Sequence, residues 1–286
     1  METSDSREAS TDVESGTLYL VGTPIGNLGD WSLRAQEVLR QVDTVLAEDT
    51  RVTGLLCHNA GIPVRLISFH AHNTRQRLGE VVSRLRSGES LALVTDRGMP
   101  AISDPGQELV DAIWQEGLKV SVVPGPSAAT TAFAASGFPA PFAFWGFLPR
   151  SGADRRRVIQ ELSGWSHAAV IYESPHHMTA TLEDLAEAVG EREVLLGREM
   201  TKKFEEYWRG PLQDLAADTR SWKGECVLVL GPAKKMPGSG EVDWHQLVSR
   251  VEALVSQGQH PNDAMRQTAR EYGVSRRDLY QRVHDT

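Results

Sequence analysis

The feature that most constrains the fold is an alternation that runs through the first 125 residues, in which short apolar stretches are separated by helix-length amphipathic ones. "TLYLVG" (17–22), "TVLA" (44–47), "RLISF" (65–69), "LALV" (91–94) and "KVSVVPG" (119–125) read as strands, while "SLRAQEVLRQV" (32–42), "TRQRLGEVVSRLRSG" (74–88) and "GQELVDAIWQEG" (106–117) read as helices. Strands this short and this continuously apolar predict burial on both faces, which means a parallel sheet covered by helices. The pattern changes after "PGPSAATTAFAASGFP" (124–139). "FAFWGFL" (142–148), "AAVIYES" (168–174), "EVLLGREMTK" (193–202) and "GECVLVLG" (224–231) are strand-like, with a helix, "TATLEDLAEAVG" (179–190), between the second and third. This reads as a second α/β domain with a mixed sheet.

The predicted organisation is therefore a disordered acidic tail (1–16), an N-terminal α/β domain (17–124), a second α/β domain (125–231), a linker (232–242) and a helical tail (243–286). The linker is marked by "PAKKMPGSG" (232–240). In the tail, "AMRQTAREYGVSRRDLYQRV" (264–283) reads as two helices joined at Gly273 with Ser275 as N-cap, a helix-turn-helix-like arrangement.

Composition excludes several function classes. No apolar run approaches the ~20 residues that span a bilayer, and "METSDSREASTDVESG" (1–16) lacks the basic and apolar regions of a signal peptide. A cytoplasmic protein is expected. Cys57 and Cys226 are the two cysteines of the chain and stand far apart, so neither a disulfide framework nor a zinc site is expected, and no metal is assigned. The net charge of −8 speaks against a nucleic-acid partner, but half of it lies in the first 16 residues. Elsewhere "RSGADRRR" (150–157), with Arg155, Arg156 and Arg157, and the tail, with Arg276 and Arg277, are locally basic and are candidate RNA contacts.

Ligands of an open parallel sheet sit beyond the carboxyl ends of its strands. "VGTPIGNLGD" (21–30), "DRGMPAISDPG" (96–106) and "PGPSAA" (124–129) all leave that edge, rich in the glycine that lets a backbone approach a ligand and the proline that stiffens a loop. Gly22, Gly26 and Gly29 do not match the dinucleotide fingerprint, and no phosphate-binding P-loop pattern occurs. Glu48 and Asp49, at the end of the second strand, keep a ribose-binding reading open. Asp96 and Asp104 in the second loop would repel a pyrophosphate and suit a cationic nucleoside such as S-adenosylmethionine.

"GTPIGNLGDWSLRAQEVL", "AEDTR", "FHAHN", "LVTDRGMPAISDPG", "PGPSAA", "GFLPR", "YESPHH" and "REMTKKFEE" stand in order along the chain. Together they resemble the ribosomal RNA small subunit methyltransferase I family, of the tetrapyrrole-methylase (class III) fold. The resemblance implies a homodimeric enzyme that uses S-adenosylmethionine to methylate the 2′-hydroxyl of a cytidine in the decoding region of 16S rRNA, with the cofactor in a cleft between two α/β domains. By position, Pro24, Gly26, Asp96, Gly98, Met99 and Ile102 would meet the cofactor on one side; Ser127, Ala128, Phe147, Tyr172 and Glu173 would complete the walls. Arg97 stands where the family carries a small residue and is expected to point away from the cofactor; His177 replaces an arginine.

Methyl transfer to a ribose hydroxyl needs positioning and a proton acceptor. Asp49 or Glu48 is the expected acceptor, with Arg51 and Lys202 holding phosphate or ribose oxygens; the competing expectation for each is an interdomain salt bridge. His70 and His72 lack a third ligand and read as hydrogen-bonded loop residues. The alternatives are a methyltransferase acting on a small tetrapyrrole, against which the basic tail speaks, and a non-catalytic RNA-binding protein.

Overall fold

The computed structural model describes residues 12–233, 244–272 and 274–284, without the side chains of residues 270, 271, 277 and 284. In chain order the first half contains β1 (Thr17–Val21), α1 (Leu33–Gln41), β2 (Thr44–Ala47), α2 (Thr50–Asn59), β3 (Leu66–Ser68), α3 (Thr74–Arg86), β4 (Leu91–Val94), α4 (Gln107–Gln115) and β5 (Lys119–Val123). The five strands form one sheet in the order β3-β2-β4-β1-β5, every pairing parallel. Successive side chains of a strand face opposite ways, and the core divides accordingly. Tyr19, Val21, Val45 and Ala47 pack with Val38 and Leu39 of α1 and Cys57 of α2; Leu18, Leu20, Leu46 and Leu93 pack with Val81 and Leu85 of α3 and Leu109 and Ile113 of α4. Both faces are covered, which is why "LALV" needs no polar position.

The chain continues through α5 (Ala128–Ser136), β6 (Phe142–Phe147), α6 (Gly152–Gly164), β7 (Ala168–Glu173), α7 (Met178–Val189), β8 (Glu193–Arg198), β9 (Glu206–Pro211), α8 (Leu212–Ala216) and β10 (Cys226–Leu230). The second sheet runs β6-β7-β10-β8-β9. β6 and β7 are parallel and the rest antiparallel, so the sheet is mixed. Antiparallel pairing sets Cys226 beside Glu173, bringing the start of β10 to the same edge as the end of β7. Five elements were not legible in the sequence: α2, α5, α6, α8 and β9. In β9, "EYWRGP", burial alternates between half-buried and exposed until Gly210, the mark of an edge strand with one covered face. β8 ends at Arg198, short of the expected 202, because Glu199 and Thr201 adopt left-handed backbone with φ of 48° and 67°.

Arg192, nearly inaccessible at 3% exposure, ties this second lobe together without an acidic partner. Its guanidinium donates to the carbonyls of Gly231, Leu162, Trp165 and His167, collecting chain ends from beside β10, α6 and β7. Burial pushes its pKa down to about 10.

Residues through Pro232 form one compact unit and those from Ala233 a second. The second unit contains α9 (Trp244–Ser256), α10 (Pro261–Glu271) and α11 (Arg276–His284), joined by Leu247, Val251, Ala264, Met265 and Leu279. Proline opens α10, where its missing N–H costs nothing. The expected disordered tail is too long at its inner end. Val13 N donates to Gln41 Oε1, Glu14 N to the Tyr19 hydroxyl and the Ser15 hydroxyl to Gly88 O, so the chain from 13 onward is fastened to the first sheet. Residues 1–11, residues 234–242 of the expected linker, residue 243, Gly273 at the expected helix junction, and residues 285 and 286 lie outside the described residues. Among the described residues no helix is long and apolar enough to cross a membrane.

Replacing Arg192 by methionine removes the guanidinium from four buried carbonyls, of which Leu162 O keeps the Trp165 amide as donor. An unmet buried acceptor costs roughly 1–3 kcal/mol, and partial relaxation leaves an expected loss of about 3 kcal/mol in chemical denaturation. A midpoint unchanged from wild type would show that water takes over these carbonyls.

Candidate active site

The loops after β1, β4 and β5 are locked into one body. Thr23 and Gly98 exchange both backbone hydrogen bonds, at 2.9 and 3.2 Å, and the Thr23 hydroxyl donates to Thr95 O at 3.1 Å. Gly22 and Gly125 meet backbone to backbone: a Cβ on Gly22 would stand 2.6 Å from Gly125 Cα, and one on Gly125 2.8 Å from Gly22 Cα. The Gly125 amide donates to Met99 Sδ, which fastens the third loop to the second. That second loop is itself wound tightly, with left-handed Ala101 and Ser103 (φ 64° and 62°) ahead of Gly106 (φ 138°). Left-handed backbone at residues with a Cβ costs about 1 kcal/mol or more each and persists where surroundings impose it.

These loops form one wall of a cavity of about 310 Å³ whose opposite wall comes from the second sheet. Gly98, Met99, Ile102, Ser127 and Ala128 line the first wall; Phe147, Tyr172 and Glu173 line the second, at the carboxyl ends of β6 and β7. The structure brings all eight of these expected residues together. Pro24, Gly26 and Asp96 are not in the lining. Pro24 is buried inside its loop, and its neighbour Ile25 faces the cavity instead. Gly26 packs on the turn after β8, where a Cβ would lie 2.6 Å from Lys202 Cγ and 2.7 Å from Thr201 Oγ1; its smallness serves lobe-to-lobe contact. Asp96 Oδ1 accepts from the Asp49 amide at 3.2 Å, joining the loops after β4 and β2.

Asp104, expected as a loop carboxylate suited to a cationic ligand, lines the cavity, as do Arg97, Met200 and Glu225, which sequence reasoning missed. Arg97, expected to point away, forms an ion pair with Glu225 Oε1; the other oxygen of Glu225 takes Lys202 Nζ at 2.9 Å, and Lys202 also pairs with Glu199 at 2.8 Å. Lys202 is thus held in salt bridges within its own lobe, not in the expected interdomain one; the pair that crosses between the lobes is Arg97 with Glu225. Arg51 forks onto Asp49, with Nη2 to Oδ2 at 2.5 Å. That guanidinium and the Arg51 amide at the start of α2 hold the Asp49 carboxyl far below the usual carboxylate range, leaving it a poor proton acceptor. Glu48 Oε2 accepts from the Thr95 hydroxyl at 2.8 Å. Asp104 behaves oppositely to Asp49. Burial first, then the charges of Glu48 and Asp96, push its pKa up to about 6 against the opposing Thr95 hydrogen bond.

Outside the cavity, Arg155 is not an RNA contact. It is buried, with Nε on Asp184 Oδ2 at 2.6 Å, Nη1 on Pro149 O and Nη2 on the Thr181 hydroxyl, because its position on α6 turns it inward toward α7. Arg156 is exposed, and Arg157 is exposed beside Asp154. Arg276 is exposed, with Nη2 3.4 Å from Asn262 Oδ1; the Arg277 side chain lies outside the described residues. His70 and His72 stack edge to face, and among the described residues no group of side chains could hold a metal ion.

The sequence profile of the Tetrapyrrole (Corrin/Porphyrin) Methylases matches residues 17–216, which contain every strand of the first sheet and most of the second. The chain belongs to this family. Its members are methyltransferases that use S-adenosylmethionine. Among curated relatives, the Ribosomal RNA small subunit methyltransferase I of Streptococcus pyogenes serotype M3 is 43% identical over 95% of this chain and 96% of its own length. The protein of the same name from Bacillus subtilis is 39% identical over 95% of each. A solved structure of uroporphyrin-III C-methyltransferase from Thermus thermophilus, complexed with S-adenyl homocysteine, shares the fold with a TM-score of 0.55 at 18% identity, covering 75% of this chain and 97% of that one.

The cavity suits S-adenosylmethionine. Met99, Ile102, Ala128, Phe147 and Val227 offer an apolar slot of the kind a purine ring fills, and the carboxylates in the lining give the cavity a negative potential that suits a cationic ligand.

Asp104 carries a testable cost. Unfolded, it ionises at about pH 4; folded, it keeps its proton up to about pH 6. The native state therefore binds the extra proton between these values, and this residue's contribution to stability falls as pH rises through that window. Asp104→Asn should raise the Tm of the ligand-free protein at pH 8, and the gain should vanish near pH 4. Calorimetric scans at both pH values check this; a lower Tm at pH 8 would contradict it.

Proposed function

We propose that this protein transfers a methyl group from S-adenosylmethionine to the 2′-hydroxyl of a cytidine in the decoding region of 16S rRNA, acting as a homodimer in the cytoplasm on the small ribosomal subunit. The observation that supports this reading is similarity over nearly the full chain, at 43% and 39% identity, to proteins named Ribosomal RNA small subunit methyltransferase I. The tetrapyrrole enzyme, by contrast, leaves a quarter of this chain unmatched.

The cofactor supplies a methyl group already activated on a sulfonium, so the protein's part is to position it, exclude water and remove one proton. Gly98, Met99, Ile102, Ser127 and Ala128 hold it from the first wall, and Phe147, Tyr172 and Glu173 close over it from the second sheet. Glu48 and Asp49 stand at the acceptor side. Arg51 and Lys202 are assigned to phosphate or ribose oxygens; to hold a phosphate, each exchanges a carboxylate partner for one, which couples RNA entry to release of the Asp49 and Glu225 ion pairs. Arg156 and Arg157 on α6, and Arg276 and Arg277 on α11, extend the contact to RNA phosphates.

The test is methyl transfer from labelled S-adenosylmethionine to under-methylated small ribosomal subunits, naked rRNA and a uroporphyrinogen-type tetrapyrrole. Label on one ribose of the rRNA is expected. Label on the tetrapyrrole, or none on either RNA sample, would overturn the substrate.

A further inference from the structure

Three carboxylates face the cavity: Asp104, Glu173 and Glu225. Two of them are committed. Glu173 is buried, with Oε1 accepting from the Ser174 amide at 2.7 Å and Oε2 from the Thr181 hydroxyl at 2.5 Å. Glu225 is neutralised by Arg97 on one oxygen and Lys202 on the other. Among the described residues Asp104 has neither a cation nor a backbone amide on it; its hydrogen-bond partner is the Thr95 hydroxyl.

That hydroxyl is 98% buried and serves two acids. It donates to Glu48 Oε2 at 2.8 Å and also lies within hydrogen-bond reach of Asp104. A hydroxyl has one proton and two lone pairs. With both acids ionised, it can satisfy only one of them. Once Asp104 is protonated, its O–H donates to Thr95 Oγ1, Thr95 donates to Glu48, and each member of the chain has a partner. The arrangement is complete only when a proton has arrived. Thr95 is held in place by the Thr23 hydroxyl on its carbonyl, so the chain is anchored to the same loop body that forms the cavity wall.

The geometry points to Asp104 as the proton acceptor of methyl transfer, with Thr95 and Glu48 as positioning residues behind it. This rests on the rRNA reading above. As the ribose 2′-oxygen forms its bond to the methyl carbon, the carbon–sulfur bond of the donor breaks. The donor leaves as a neutral thioether, and the hydroxyl proton passes to the Asp104 carboxylate, from which solvent later removes it. The charged and titratable groups around Asp104 are Glu48 and Asp96 behind the lining, Arg97 on the first wall, and Tyr172, Glu173 and Glu225 on the second. Neutralising Glu48 removes a like charge and so lowers the pH at which Asp104 ionises.

The experiment combines single-turnover methylation of under-methylated small subunits between pH 5 and 9 with calorimetric S-adenosylmethionine affinity for wild type, Asp104→Asn and Glu48→Gln. Wild type is expected to lose rate below a midpoint near 6. Asp104→Asn should bind the cofactor within about threefold of wild type yet react roughly 10²–10⁴-fold more slowly, with no midpoint in that range. Glu48→Gln should keep a midpoint but move it to lower pH. A wild-type rate and midpoint in Asp104→Asn, or a tenfold loss of its cofactor affinity, would overturn the assignment, the second outcome by making Asp104 a cofactor ligand. If wild type labels no RNA, the substrate reading fails and the acceptor assignment falls with it. A wild type that labels RNA while Asp104→Asn keeps pace refutes the acceptor alone.

Discussion

The cavity depends on two glycines that touch. Gly22 leaves β1 and Gly125 leaves β5, neighbouring parallel strands, and their backbones stand so close that neither position has room for a methyl group. Parallel strands deliver their following loops to one edge, but loops there normally diverge into their helices. Backbone contact between these two keeps them together, and Met99 Sδ on the Gly125 amide adds the loop from β4. The sheet supplies the edge, and the glycine contact converts that edge into a rigid wall.

Across the cavity the second lobe reaches the wall through charge and strain. Glu225 joins Arg97 of the first lobe to Lys202 of the second, and Lys202 sits in a turn whose Glu199 and Thr201 are left-handed. Exposed or half-exposed ion pairs contribute roughly 1 kcal/mol or less each. The second lobe thus meets the wall through weak, exchangeable pairs, while the wall behind them is held by packing. The carboxylates divide in the same way. Asp49 is fixed as an anion by Arg51 and a helix N-terminus, whereas Asp104 is denied such partners and so remains able to take up a proton near neutrality.

Much of this was written in the sequence because it depends on local pattern. Continuous apolar runs announce the parallel strands, and Gly/Pro loops announce the ligand edge; the ordered motifs name eight residues that do line the cavity. What stayed hidden depends on long-range contact. Gly26 looks like a ligand-facing glycine until Lys202 and Thr201 are seen against it. Arg155 looks like its exposed neighbours Arg156 and Arg157 until helical phase turns it onto Asp184 and Thr181. Asp104 sits in the most conspicuous stretch of the chain. Its burial nevertheless follows from left-handed turns at Ala101 and Ser103, residue types that give no sign of such backbone. The edge strand β9 escaped notice because an edge needs only one apolar face.

The central claim is that the Gly22–Gly125 contact builds the S-adenosylmethionine site. Its most direct test is the calorimetric affinity of Gly125→Ala for S-adenosylmethionine, measured at a temperature where circular dichroism shows the sheets intact. The added methyl must push the β1 and β5 loops apart, since its obstacles are the Cα and carbonyl carbon of Gly22. A loss of affinity of tenfold or more with secondary structure retained is the predicted result. Wild-type affinity in a folded Gly125→Ala protein would place the cofactor's wall elsewhere and contradict the account.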